Sequence, residues 1–159
     1  MIIPEKYKAI LNEYLQETPV KLGALAAALG LEVFKSTLRP DESGLIEPSD
    51  TAKSGYRIKI NRHEVVERQR FTLAHEIAHF LLHRQDIGGG LFDDILYRSS
   101  LSDRKEVEAN KLASLLIMPD ASIRRAKPNV AHLPIDEQIA ELSKLFRVSQ
   151  QAMRIKLGV

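Results

Sequence analysis

The run from Arg68 to His83, R-Q-R-F-T-L-A-H-E-I-A-H-F-L-L-H, constrains this chain more than any other segment. Phe71, Ala74, Ile77, Ala78 and Leu81 recur at helical spacing, while Arg68, Thr72, His75 and His79 fall on another face. The run is therefore predicted to be an amphipathic helix, opened by Asn61 with Glu64 as its capping-box partner and ending near His83. Residues four apart are neighbours on a helix, with Cβ atoms roughly 5–6 Å apart. Two imidazoles so placed can converge on one divalent ion at about 2.0–2.1 Å. Glu76, one residue round the helix from His75, can reach a water at that ion as general base.

An open metal site of this kind needs three protein ligands and one free position. His83 follows at another four-residue step, but it stands eight residues beyond His75. At 1.5 Å per residue that is about 12 Å along the axis, too far for one ion to hold both while the helix is intact. A glycine break followed by a third histidine is also excluded, because Leu82 and Gln85 occupy those positions. A carboxylate from a second helix remains. The segment from about 103 to 117, closed by Pro119, is predicted to be that helix and offers Glu106 and Glu108. Glu108 is preferred, because Ala109 beside it lets two helices approach closely. Glu106 is the alternative, and Asn110 is placed to orient a ligand imidazole.

With no cysteine in the chain, any metal site must use His, Asp or Glu. At 159 residues, 44% hydrophobic and 28% charged, the composition is that of one globular domain. Its expected organisation is a single metallopeptidase domain over 1–159: a helical portion (1–30), a catalytic core (31–120) and a helical tail (121–159). The N-terminus lacks the basic and apolar regions of a signal peptide. No stretch approaches the ~18 apolar residues of a membrane span, so a cytoplasmic protein without membrane contact is expected. The net charge of +2 is uneven: residues 121–159 carry seven Lys/Arg against three Asp/Glu. That excess is modest for a nucleic-acid reader, which shows a strongly basic face.

Elsewhere, helices are predicted over 5–16, 19–29, 135–146 and 150–157, the last capped by Ser149. Strands are predicted near Leu31–Phe34 and over Gly55–Asn61, with a turn or hairpin region between Pro40 and Ser54. Residues 118–134 read as a proline-containing linker. Gly88–Gly90 sit in a loop that could hinge a lid, and Tyr97, Arg98 and His132 are candidate transition-state donors by residue type.

The two strings R-Q-R-F-T-L-A-H-E-I-A-H-F-L-L-H and E-V-E-A-N-K-L-A-S-L-L-I-M-P resemble the ImmA/IrrE family of bacterial metallopeptidases. The resemblance is strong over about 55–120 and looser over Leu145–Met153. It implies an α+β, zincin-like fold, with a small, mostly antiparallel sheet packed on the active helix and on a ligand-bearing second helix. By resemblance, His75 and His79 are zinc ligands, Glu76 is the catalytic base and Glu108 the third ligand. Manganese or iron could occupy the same donor set. The implied activity is endopeptidase cleavage of a separate helix-turn-helix repressor in a stress-response or mobile-element circuit. An extended substrate would add to strand Tyr56–Asn61. The competing expectation is a non-hydrolytic zinc-containing binding module of a toxin–antitoxin type of pair. Direct nucleic-acid binding through the tail is disfavoured, its helix pair being read as a packing unit.

Overall fold

The computed structural model describes residues 2–87 and 103–159. Gly88–Gly90, Tyr97 and Arg98 lie outside the described residues. In chain order the elements are α1 (Glu5–Tyr14), α2 (Leu22–Ala28), β1 (Glu32–Ser36), β2 (Gly44–Pro48), β3 (Tyr56–Asn61) and α3 (Val66–His83). A short 3₁₀ turn (Arg84–Asp86) follows, then α4 (Asp103–Ile117), α5 (Asp120–Val130), α6 (Ile135–Phe146) and α7 (Gln150–Leu157).

The architecture is α+β, but the sheet is mixed rather than mostly antiparallel. Its order is β1-β3-β2. β2 and β3 pair antiparallel from Gly44↔Ile60 to Pro48↔Tyr56, as a hairpin dictates. β1 lies on the far side of β3 and runs parallel to it, from Glu32↔Arg57 to Ser36↔Asn61. The period-2 alternation of β3 sends Ile58 and Ile60 into the core, where Ile58 sits opposite Ile46 of β2. On the other face Arg57 pairs with Glu47, and Lys59 Nζ stands 3.3 Å from the same carboxylate. β3 is thus the central strand, with both edges paired. An extended substrate has no edge there, which corrects the expectation for Tyr56–Asn61. Among the described residues β1 and β2 each pair on one side only, and β2 is the edge whose first residue, Gly44, lines the cleft beside His75 and Glu76.

α3 crosses the inner face of this sheet. Ala74, Ile77 and Ala78 are fully buried, as are Ala109 and Ala113 of α4, and such small side chains let the two helices pack closely. Leu116, Ile117, Phe80 and Phe146 complete the middle of the core.

Several local rules hold and some fail. Gly30, at φ +83°, closes α2 as a Schellman turn: Leu31 N–H reaches Ala26 O at 2.9 Å and Gly30 N–H reaches Ala27 O at 3.0 Å. Ser149 caps α7 through Ala152 N–H at 3.0 Å, as expected. Asn61 does not cap α3. Its amide is drawn instead to the carbonyls of Arg39 and Glu42, at 3.2 and 2.9 Å, tying the segment before β2 to the end of β3. The helix begins at Val66, and the Gln69 amide donates back to the carbonyls of Arg62 and Glu64. Residues 120–130 form α5 rather than a linker. Pro119 stands at its N-cap and Pro128 in its last turn, while Ser122, Ile123 and Ala126 are buried.

Gly44 marks the tightest contact between sheet and active helix. A Cβ there would lie 2.6 Å from Thr72 Cγ2 and 2.8 Å from the Lys59 carbonyl oxygen. Gly44→Ala is expected to destabilise the protein by about 1–3 kcal/mol through this overlap. Thermal unfolding measures it, and an unchanged melting temperature would contradict the contact.

Candidate metal centre

Burial on α3 carries His75 and His79 inward together, at 9% and 1% exposure, with Glu76 at 0%. Their rings meet edge to face, with Nε2 atoms 3.1 Å apart. α4 brings a carboxylate to the same point. Glu106 Oε1 lies 3.0 Å from His79 Nε2, and Oε2 lies 3.3 Å from His75 Nε2. The three side chains form a His-His-Glu group whose ligand atoms all fall within 4.8 Å of one another. A tetrahedral ion with ligands at about 2.0–2.2 Å separates those ligands by about 3.3–3.6 Å, so the donor set fits one ion. Two imidazole nitrogens directed at each other also leave at least one lone pair unmatched unless a proton or cation joins them.

Glu108, preferred from sequence, is not brought to this point. It lies on a different flank of α4, with Oε1 3.2 Å from His83 Nε2. His83 Nδ1 in turn is 3.0 Å from His79 Nδ1. With a cation held at the Nε2 atoms, these contacts would set a proton order. For His79 Nε2 to keep its lone pair, the ring proton must sit on Nδ1 and be donated to His83 Nδ1. His83 then carries its own proton on Nε2 and donates it to Glu108. The carboxylate on the preferred residue therefore stands two bonds behind a ligand-type histidine, while Glu106 stands beside both. Residues 106 and 108 are about 200° apart round a helix, and only packing decides which one faces inward. On the other ring, Asn110 Oδ1 lies 2.9 Å from His75 Nδ1, the orienting position expected for it.

The electrostatics agree with the geometry. Hydrogen bonds from His75 and then His79 hold the Glu106 carboxyl far below the ordinary carboxylate range. Burial pushes the His79 imidazole below its usual value, outweighing the hydrogen bond to Glu106 that acts in the opposite direction. A depressed histidine pKa means that the unfolded chain takes up the proton first. In the metal-free protein, stability should be full above the unfolded value of about 6.5 and fall as pH drops below it, levelling off beneath the folded value. Thermal melts from pH 7.5 down to 5.5 should show this loss, and His79→Gln should flatten it. A wild-type profile independent of pH would contradict the assignment.

The centre opens onto a cleft of about 560 Å³ lined by His75, Glu76, Thr72 and Asn110. Its far wall is the segment leading into β2, including Arg39, Glu42 and Gly44. Nothing in the sequence singled out that segment, because its place follows from the Asn61 hydrogen bonds. His132 lies exposed in the turn after α5 and does not line the cleft. His63 contacts Thr37 at 3.3 Å, away from the centre. The tail helices pack inward through Ile139, Leu142, Phe146 and Met153.

A His-Glu-x-x-His helix crossed by a second helix that delivers a carboxylate forms a His-His-Glu group able to hold a metal ion. The chain belongs to the Peptidase M78 family, whose model, described as the IrrE N-terminal-like domain, matches residues 26–158. Over 98 residues the chain is 34% identical to Metallopeptidase ImmA of Bacillus subtilis (strain 168), an alignment covering 62% of this chain and 54% of that protein. The chain thus spans about half the length of that curated relative. Its fold is similar to that of a Mycobacterium tuberculosis transcriptional regulator, with a TM-score of 0.61 at 15% identity, over 96% of this chain and 46% of that one. Among the described residues, no helix is long and apolar enough to cross a membrane.

Proposed function

We propose that this chain is a zincin-type endopeptidase that holds one zinc ion through His75, His79 and Glu106 and cuts a separate helix-turn-helix repressor in the cytoplasm. The observation that carries the reading is the convergence of two Nε2 atoms and a carboxylate at 3.0–3.3 Å beside Glu76, on the wall of an open cleft. Family membership supports the peptidase part, and the sequence resemblance to ImmA/IrrE proteins supports the repressor part. The donor set also accepts manganese or iron, so availability decides the ion in the cell.

When bound, such an ion supplies Lewis-acid polarisation of the scissile carbonyl and lowers the pKa of water to about 7. The remaining work falls to residues of the chain. Glu76 would take the proton from the attacking water at its carboxylate as the C–O bond forms, and would return it to the leaving amine nitrogen as the C–N bond breaks. Asn110 holds the His75 ring, and the His83–Glu108 pair holds the His79 ring. The β2 edge supplies backbone groups along which an extended substrate can lie.

The test is cleavage of neighbouring-gene repressors by zinc-loaded wild-type protein and by Glu76→Gln, read by mass spectrometry. Cleavage by wild type alone is expected. Binding without cleavage, equal in both proteins and indifferent to metal removal, would instead describe a non-hydrolytic module.

A further inference from the structure

The catalytic cleft does not end at the metal centre. A second groove of about 910 Å³ continues from it between the start of α3, the end of α4 and the α6–α7 pair. Arg68, Phe71 and Asn110 line both spaces, so the two are continuous. We propose that this groove is a specificity subsite that takes the substrate segment on one side of the scissile bond, and that it selects apolar side chains followed by an acidic residue. The inference rests on the endopeptidase reading and deepens it.

Two properties of the groove carry the proposal. Its surface is apolar: Phe71, Met118, Val148 and Ala152 contribute to it, together with Val65 and Ile155, which are 69% and 74% exposed. Exposed aliphatics gathered in one concavity mark a binding surface rather than scattered surface residues. Its charge is one-sided. Arg68, Lys144 and Arg147 line it against Glu67 alone. At the other end of the cleft, Asp41 and Glu42 stand at 3.5 and 3.4 Å from Arg39 Nε, so the basic excess is confined to the groove side. A peptide crossing the centre would therefore meet opposite surroundings on its two sides, and an acidic side chain is the one matched to the groove.

The turn between α6 and α7 contributes to the groove wall. Arg147 closes α6 with φ 57° and ψ 50°, the left-handed position that glycine usually fills. Val148 N–H reaches Ser143 O at 3.0 Å, completing the Schellman closure and putting a guanidinium-bearing residue where the groove needs a cation. The tail pair, read from sequence as a packing unit, thus contributes one wall of a site through its outer face.

The experiment has a binding arm and a cleavage arm, using short blocked peptides of apolar–acidic and apolar–basic composition. In the binding arm, zinc-loaded Glu76→Gln protein is titrated with both pools. The acidic pool should bind tighter, and Ile155→Glu should weaken it by about tenfold, the scale of a lost apolar contact. In the cleavage arm, Ile155→Glu should raise KM for acidic peptides with little change in kcat and no change in zinc content. Lys144→Glu should shift preference towards basic peptides. Leu145→Glu, at an exposed position outside the groove, is the control and should change neither arm. Unaltered selectivity and affinity in both groove variants would overturn the subsite, as would duplex DNA displacing the peptide. Peptides bound as expected but never cut would leave the subsite standing and remove the endopeptidase reading.

Discussion

Glu76→Gln should lower peptide cleavage by roughly 10²–10⁴-fold, the usual worth of a positioned general base, while leaving the metal in place. The reason lies in where the residue stands. Glu76 is fully buried, so the site does not depend on a mobile surface carboxylate, yet it lines the cleft next to His75. Glutamine keeps its volume and most of its packing but cannot accept the proton of the attacking water. Metal content, melting temperature and affinity for an uncut peptide should stay close to wild type. The loss should therefore fall on kcat rather than KM. Equal cleavage by the two proteins would remove Glu76 from the chemistry.

The second large effect separates the two carboxylates of α4. Glu106→Ala should lower zinc affinity by well over 100-fold, because it removes the anionic arm from a site otherwise made of two neutral imidazoles. Glu108→Ala should cost about 10–100-fold, the range for a group that orients a ligand from behind, since it acts through His83 on His79. Asn110→Ala belongs with Glu108→Ala, acting on His75 at its Nδ1. Competition with a chromophoric chelator measures all three, and the order of the losses is the decisive result. If Glu108→Ala lost the metal while Glu106→Ala kept it, the ligand assignment would be reversed. A ring-nitrogen NMR experiment on the zinc-loaded protein adds an independent check. His79 should carry its proton on Nδ1, and Glu108→Ala should shift that proton's resonance through His83. A purely structural role for Glu108 would leave it untouched.

Much of this was legible in the chain. The helical interval of His75 and His79, the absence of cysteine, and Leu82 and Gln85 at the positions of a third-histidine motif confined the site to two histidines and a downstream carboxylate. The tail helices 135–146 and 150–157 and the Ser149 cap were equally plain, because periodicity and caps are local. What was not legible shares one cause. Asn61 looked like a helix cap, yet its amide satisfies the Arg39 and Glu42 carbonyls, which lie about twenty residues away and approach only once β2 and β3 have paired. Pro128 and Pro134 suggested a linker, but tertiary burial of Ile123 and Ala126 holds a helix there. β3 looked half exposed from its alternation, which is blind to whether an edge is free.

The sequence by itself determined the donor types of the site, the helix that carries two of them and the family to which the chain belongs. These follow from residue identity and from intervals of a few residues, which the backbone geometry converts directly into proximity. Only the tertiary structure decided which carboxylate faces the histidines, which strand is central and where the second groove runs. Each of those depends on how one element is rotated or ordered against another. A two-residue difference along α4 is about 200° of rotation, and only the packing of α4 against α3 selects Glu106.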